Sequence, residues 1–536
     1  EDGYDLFIND NGNDLEDVML EKPTLETFGN VAKIDDTYYP SIKSAVEALP
    51  DSEEKTIELL KDVRTIHQNI ITDTKNGILD LNGKKITKYS LSPIFENNGI
   101  FKFKDSTTVV GENNVVIDGA GSLNNIFGKI LENNGTLDFD SGTIITENQN
   151  NQAIINSGIM SINGGNISAN SSQSCYRGGC TVFDTILNNE NATLKVTGGT
   201  LYKKNKDSLI NNSGILEITD GNFIGEVSDT TMYLVTNSST GNVSITGGTY
   251  NVKASSYDVR LINNSGEANI SNTTIDLFNI LNNTGNITLT NVTAEKLDRK
   301  QCMENTGILN INGGKYILNG SDYYNYTIVV NLNTGQLNIE NVDITADSIA
   351  IRNSSSSDNA VNIKSGKFNS VGKYSGNSNN KPTIYSSNGT VTIGDTNNVD
   401  SDGNKIVSKE NPSFISNGTA IEITGGKLNF YDGIVKGKTV AINGSVNEVE
   451  EGYELIKSSD DDYTEIIYLD KLPIVQVVGE DNPSYSIEEA LETESCNGKE
   501  CELDLLRKAS ILSTSSSIRI PEDKNVILDL NGYDIS

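Results

Sequence analysis

Apolar and polar residues alternate in short runs along most of the chain, and the same punctuation closes each run. Its form is Asn-(Asn/Ser/Thr)-Gly, one variable residue, alternating apolar positions, then Gly-Gly and an apolar or aromatic residue. The stretches from Asn156-Ser157-Gly158 through Gly164-Gly165-Asn166-Ile167 and from Asn305-Thr306-Gly307 through Gly313-Gly314-Lys315-Tyr316 carry it in full. Further copies begin at Asn133, Asn212, Asn264, Asn283 and Asn333, with diverged ones near Asn189, Asn388 and Asn417. A spacing of about 19 to 36 residues is that of a solenoid coil. Within a copy, Leu309 and Ile311 point to one face of a strand and Asn310 to the other. The density of Asn-Gly and Gly-Gly excludes long helices here, and glycine is expected to supply the positive φ of the corners. One repeat cannot bury its apolar face alone, so coils must stack. The expected fold class is all-β, a parallel β-helix, with residues 55 to 445 as one solenoid of roughly a dozen coils about 4.8 Å apart. Asparagine recurring at one corner predicts a side-chain hydrogen-bond ladder.

The open end of such a stack needs a cover. Ile42, Ala45, Val46 and Leu49 recur at helical spacing, which predicts a short capping helix near 41–49. Leu59-Leu60-Lys61-Asp62-Val63 and Ile78-Leu79-Asp80-Leu81 follow as the first coil strands. The segment from Gly452 to Leu469 reads as two short strands around the acidic turn Ser459-Asp460-Asp461-Asp462.

A longer repeat overlies the short one. Glu1-Asp2-Gly3-Tyr4-Asp5-Leu6 matches Glu450-Glu451-Gly452-Tyr453-Glu454-Leu455, and Ile78-Leu79-Asp80-Leu81-Asn82-Gly83 matches Ile527-Leu528-Asp529-Leu530-Asn531-Gly532. Between them Tyr39-Pro40-Ser41-Ile42 answers Ser484-Tyr485-Ser486-Ile487, and Ile57 to Lys61 answers Leu503 to Arg507. The expected organisation is a connector at 1–30, a β-helix module at 31–449, a second connector at 450–473 and the start of another module at 474–536. The segment is expected to come from a longer, tandemly repeated protein.

The string from Val31 through Ile86, with Tyr38-Tyr39-Pro40-Ser41-Ile42-Lys43-Ser44-Ala45-Val46 and above all Leu79-Asp80-Leu81-Asn82-Gly83, resembles the unit that opens pectin-lyase-like β-helix modules in large surface proteins of Gram-positive bacteria. The resemblance implies a right-handed parallel β-helix, export, and a cell-envelope or adhesive role. It transfers no functional residue.

Composition narrows the partners. Lys and Arg number 41 against 73 Asp and Glu, a formal charge of −32, which repels nucleic acid and anionic membranes. No apolar run is long enough to span a bilayer. Aromatics are 6% and Trp is absent, so large aromatic anchors are not expected to build the core. Of the five cysteines, Cys175 with Cys180 and Cys496 with Cys501 could each close a small loop disulfide in an exported protein. A zinc site lacks ligands, since His67 is the sole histidine. Cys302 reads as a small core hydrophobe.

Candidate chemistry is sparse. A β-helix polysaccharide lyase or glycoside hydrolase needs convergent carboxylates or an Arg or Lys base. Arg177, Arg260, Arg299 and Arg352 sit in no matching motif, and Asp138 with Asp140 has the look of a solvated strand face. Gly433 to Thr439 ends like a phosphate-binding loop but has Asp432 where the first glycine belongs. Asn398, Asp400 and Asp402 alternate like calcium ligands, yet Lys409 replaces the closing glutamate, so an Asx-rich turn is the alternative. The binding candidates are Tyr323, Tyr324 and Tyr326, three tyrosines in a segment expected to leave the coil, or else to face the core alternately. The expected function is therefore a non-catalytic, monomeric, adhesin-like protein at the bacterial cell surface, attached to the wall through regions outside this segment. It needs no cofactor or metal and binds a glycan or protein on a host or neighbouring cell. A β-helix enzyme and a structural spacer are the alternatives.

Overall fold

The computed structural model describes residues 5–10, 16–21, 23–24, 26–107, 109–110, 116–117, 121–146, 152–170, 183–204, 206–227, 230–253, 258–298, 301–319, 326–372, 381–395, 397–399, 401, 405–498, 500–507 and 520–533. The chain divides into two compact units, Glu1–Leu337 and Asn338–Ser536. Both are parallel β-helix in their coils.

In Glu1–Leu337 each coil contributes strands to three parallel faces. The first face stacks eleven short strands among the described residues, from Asn69–Ile71 through Leu131–Asn133 and Ile210–Asn212 to Thr327–Asn331. The second face follows at once, running from Lys55–Leu59 through Ile159–Ile162 to Ile308–Leu318. The third face holds Val63–Thr65, Lys85–Lys88, Ser122–Asn125, Thr143–Thr146 and Asn166–Asn170. It continues in the second halves of long strands such as Thr193–Lys204 and Ile215–Glu226, which round the corner unbroken. Alternation dictates burial: in Ile210–Asn212 the outer two residues are buried and Asn211 is half-exposed.

The core corrects one expectation from composition. Among the described residues eight phenylalanines, Phe95, Phe101, Phe103, Phe139, Phe223, Phe368, Phe414 and Phe430, are buried; between coils Phe103 lies 6.5 Å from Phe139 and Phe368 stacks 4.8 Å from Phe414, while within one coil Phe103 meets Phe95 edge-on at 5.0 Å. Aromatics are few, but the inward positions collect them, and identical positions on successive coils bring rings together. Cys302 is wholly buried beside Met303, in the role expected of it.

Asparagine forms the expected ladder. Asn97, Asn133, Asn156, Asn188, Asn212, Asn237, Asn264, Asn283, Asn305 and Asn331 each end a first-face strand with the side chain inside. Each Nδ2 donates to the Oδ1 of the next, over 2.7 to 2.9 Å.

The corner glycines fill two roles, of which positive φ is the expected one. Gly142, Gly165, Gly199, Gly221 and Gly248, at the second corner, do have positive φ. Gly99, Gly135, Gly158, Gly214, Gly266, Gly285 and Gly307, which follow the ladder asparagines, have no positive φ. They are needed because coils touch backbone to backbone there: a Cβ on Gly158 would lie 2.1 Å from the Gly135 carbonyl oxygen.

The opening of the stack is covered by the helix Ile42–Glu47, which buries Ile42, Ala45 and Val46 and is capped by Ser41 Oγ accepting from Ser44 N at 3.1 Å. Asn338–Ser536 contains a second opening of the same build. Helix Ile487–Leu491 buries Ile487, Ala490 and Leu491, with Ser486 as its cap. Ala32 opposes Leu59 and Ile57 pairs with Leu79 in the first copy; Val475 opposes Leu505 and Leu503 pairs with Leu528 in the second. The hairpins agree as well. Asp5 opposes Glu21 and Leu6 opposes Leu20, while Glu454 opposes Asp470 and Leu455 opposes Leu469, each partner 449 residues on. The second hairpin, Tyr453–Ser458 with Glu465–Lys471, lies antiparallel against Ile434–Gly437 and covers that edge.

One difference is chemical. The turn after the second helix carries a Cys496–Cys501 disulfide, with Cα atoms 4.9 Å apart and both cysteines in the local core with Val475, Leu491 and Leu503. A loop this short constrains the unfolded chain by about 2 kcal/mol at most. Replacing both cysteines by serine should therefore speed amide exchange in Glu500–Leu505 by roughly tenfold and leave Lys55–Leu59 unchanged. Exchange mass spectrometry checks both segments at once.

Candidate functional site

The ladder fixes what the outside of the first face presents. One residue before each ladder asparagine points outward, giving Leu187, Asn211, Thr236, Asn263, Asn282 and Glu304 on six successive coils. Four residues before it stand Ser208, Tyr233, Arg260 and Asn279, of which Tyr233 and Arg260 are direct cross-strand partners.

These rows knit into one polar strip. Asp184 accepts from Ser208 N at 2.9 Å and from Asn211 Nδ2 at 2.7 Å. Ser208 Oγ shares a hydrogen bond with Thr236 Oγ1, and Asn282 Nδ2 donates to Asn263 Oδ1 at 3.0 Å. At the centre Asp258 is nearly buried. Its carboxylate receives Arg260 Nε and Nη2, each at 3.4 Å, Thr231 Oγ1 at 2.9 Å, and Asn279 Nδ2. Asn279 is itself buried and its Oδ1 has no hydrogen-bond partner. Tyr233 lies against this group, with Asn282 in hydrogen-bonding reach. Burial pushes its phenol above the usual tyrosine range; Arg260 opposes that shift, while Asp258 and Glu304 add to it. At the other end Lys203 is buried and donates to the Phe183 carbonyl at 2.8 Å. Loss of hydration lowers its ammonium to about 8, against the pull of Asp184 and Asp207.

No family model, curated protein or solved structure matches the chain. The site therefore stands on its own geometry.

That geometry brings one sequence candidate in and leaves others apart. Arg260 is at the centre of the strip. Arg352 instead lies over the Tyr385 ring at 5.5 Å. Tyr326 is half-buried immediately before Thr327–Asn331; Tyr323, Tyr324, Arg177, Arg299, Cys175, Cys180, Asp400 and Asp402 lie outside the described residues. Asn398 donates to the Ile406 carbonyl. Asp140 pairs with Lys102 at 3.5 Å and accepts from Asn163, as a solvated strand face does. Residues 434–437 are a strand, so the phosphate-loop likeness has no loop behind it.

Among the described residues one group of three acids converges, Glu502, Asp504 and Asp529. In the first opening the residues matched to Asp504 and Asp529 are Glu58, paired with Lys33 at 3.0 Å, and Asp80, paired with Lys104 at 3.5 Å. Gln476 stands in place of Lys33. Nothing else at this cluster points to a ligand.

Proposed function

We propose that the chain is an adhesin-like module of the pectin-lyase-like surface type, displayed outside the cell, which binds a glycan without turning it over. The observation that supports this reading is the Tyr233–Asp258–Arg260–Asn282 cluster on the outside of the ladder face. Amide, carboxylate and guanidinium groups fixed by one another match the paired hydroxyls of a sugar, and a tyrosine ring offers it an apolar face. Coils about 4.8 Å apart set successive outward polar side chains at close to the advance of one sugar residue along a chain. The Asn ladder beneath holds the strands still, which lowers the ordering cost of binding. Two flanking observations favour export: the Cys496–Cys501 disulfide and the −32 charge, which suits an exposed, solvated surface.

Arrays of neutral and acidic glycans, run beside a panel of host-surface proteins, test the proposal. A paired Tyr233→Ala, Asn282→Ala variant should lose about tenfold or more in affinity, the cost of about 1.4 kcal/mol or more expected when a central aromatic contact is removed. Its melting curve should stay close to that of the parent. The Tyr323, Tyr324, Tyr326 triple serine variant serves as the comparison. If it alone loses binding, the contact lies in that segment and not on the strip. A parent that binds nothing on either panel leaves the spacer reading, and release of cleaved sugars would replace binding by catalysis.

A further inference from the structure

Between Thr390–Ile393 and Ser413–Ser416 the described part of residues 395–412 is strapped to its neighbours at several places. Asp432, 3% exposed, accepts from Ser408 N at 2.5 Å and from Gly433 N at 2.9 Å through the same Oδ1. Lys405 donates to the Asp395 carbonyl and stands 4.0 Å from Glu450. Lys409 pairs with Asp470 at 2.7 Å and lies over the Tyr468 ring at 5.3 Å. The Tyr453 hydroxyl donates to the Lys405 carbonyl at 3.5 Å. Because Tyr453, Tyr468 and Asp470 belong to the connector hairpin, the strap joins that hairpin to the last coils.

The charges inside this joint do not balance. Lys405 is one ammonium facing the carboxylates of Asp432 and Glu450, with Asp395 also near Asp432. Asp395 has Lys364 at 3.8 Å, and Glu450 has Glu451 close by. When every acid is ionised the joint holds more negative charge than its cations offset, in a place with little water. We propose that residues 405–412, with Asp432 and Glu450, form an acid-tightened clasp, in which protons taken up by those two acids hold the connector hairpin to the last coils and their release at neutral pH loosens it.

The sign follows from burial. Burial raises the Asp432 carboxyl to about 6 and raises that of Glu450, in each case more than Lys405 lowers it. An acid with a raised pKa in the closed state contributes stability that is full below its open-state value near 3.8 and lost as pH climbs through about 6.

Amide exchange of the whole chain at pH 4.5, 6 and 7.5, corrected for intrinsic rates, reads the clasp directly. Peptides covering 405–412 and 453–458 should open about tenfold more at pH 7.5 than at 4.5, while ladder strands such as Ile210–Asn212 hold their protection. Asp432→Asn keeps an oxygen acceptor for Ser408 N and cannot ionise, so most of the slope should vanish, leaving only the part due to Glu450. Glu450→Gln, which leaves the strap's own hydrogen bonds in place, should reduce the slope in part. A parent without pH dependence in these peptides, or equal slopes in the parent and both variants, overturns the clasp.

Discussion

Gly158→Ala should lower the stability of the coils around it by about 3 kcal/mol or more, the range of a severe steric substitution. The added methyl carbon would sit 2.1 Å from the Gly135 oxygen and 2.7 Å from the Asn134 carbonyl carbon, all backbone of the coil beneath. Backbone held in a stacked ladder cannot step aside as a side chain can, so the coils must part. Gly307 meets the Gly285 oxygen at the same 2.1 Å and should behave alike. One coil shows the way out that the chain itself takes: Ala192 follows ladder residue Asn188 across a turn two residues longer, with Asn191 at φ 66. The effect separates the two kinds of corner. Gly452 has φ +81 and nothing within 4 Å of its added Cβ, so Gly452→Asn should cost little, since asparagine tolerates that backbone. Gly158→Asn should be as damaging as alanine. Urea denaturation of the three variants decides between close approach and positive φ as the reason for the Asn-x-Gly glycine.

That distinction was not legible in the residues. Asn-x-Gly signals a corner whichever demand the glycine meets, and only the stacked coordinates tell a crowded position from a left-handed one. The fold was legible, because a strand buried on one side imposes a two-residue alternation and stacking imposes the repeat. The capping helix was legible for the same reason in another period, down to Ile42, Ala45 and Val46. The candidate site was not. Tyr233, Asp258, Arg260, Asn279 and Asn282 fall on three coils whose lengths differ, so no fixed spacing links them. A signal did exist. Counting back four places from Asn237, Asn264 and Asn283 gives Tyr233, Arg260 and Asn279, and counting back one gives Thr236, Asn263 and Asn282. Aligning coils on the ladder asparagine, and not on the glycines, reads the residues of the strip from the sequence. The buried aromatics escaped notice because composition counts rings without saying which way they point.

The ladder itself sets the second large effect. Asn212 is wholly buried, and its Nδ2 donates to Asn237 Oδ1 at 2.8 Å, to the Gly214 carbonyl at 3.0 Å and to the Asn242 carbonyl at 3.3 Å. Its Oδ1 accepts from Asn188 at 2.7 Å. Asn212→Ala strands partners on both sides away from water, at a cost of about 2–4 kcal/mol. The end of the ladder should be cheaper. Asn97 pairs across the strands with Ile71 on one side and Asn133 on the other, so Asn97→Ala breaks one link between asparagines where Asn212→Ala breaks two. A loss of about 1–2 kcal/mol is expected there. Serine should fall between, because Asn338–Ser536 uses that step: Asn353 Nδ2 donates to Ser386 Oγ at 3.0 Å, and Ile423 takes the next place with no polar group at all. Stability in a solenoid is close to a sum of coil and neighbour terms, so the damage should stay local. Exchange protection should drop in Ile186–Asn188 and Thr231–Asn237 and hold in Met303–Asn305. Equal losses for Asn97→Ala and Asn212→Ala would mean that the asparagines act one by one, each through its own backbone contacts, and not as a ladder.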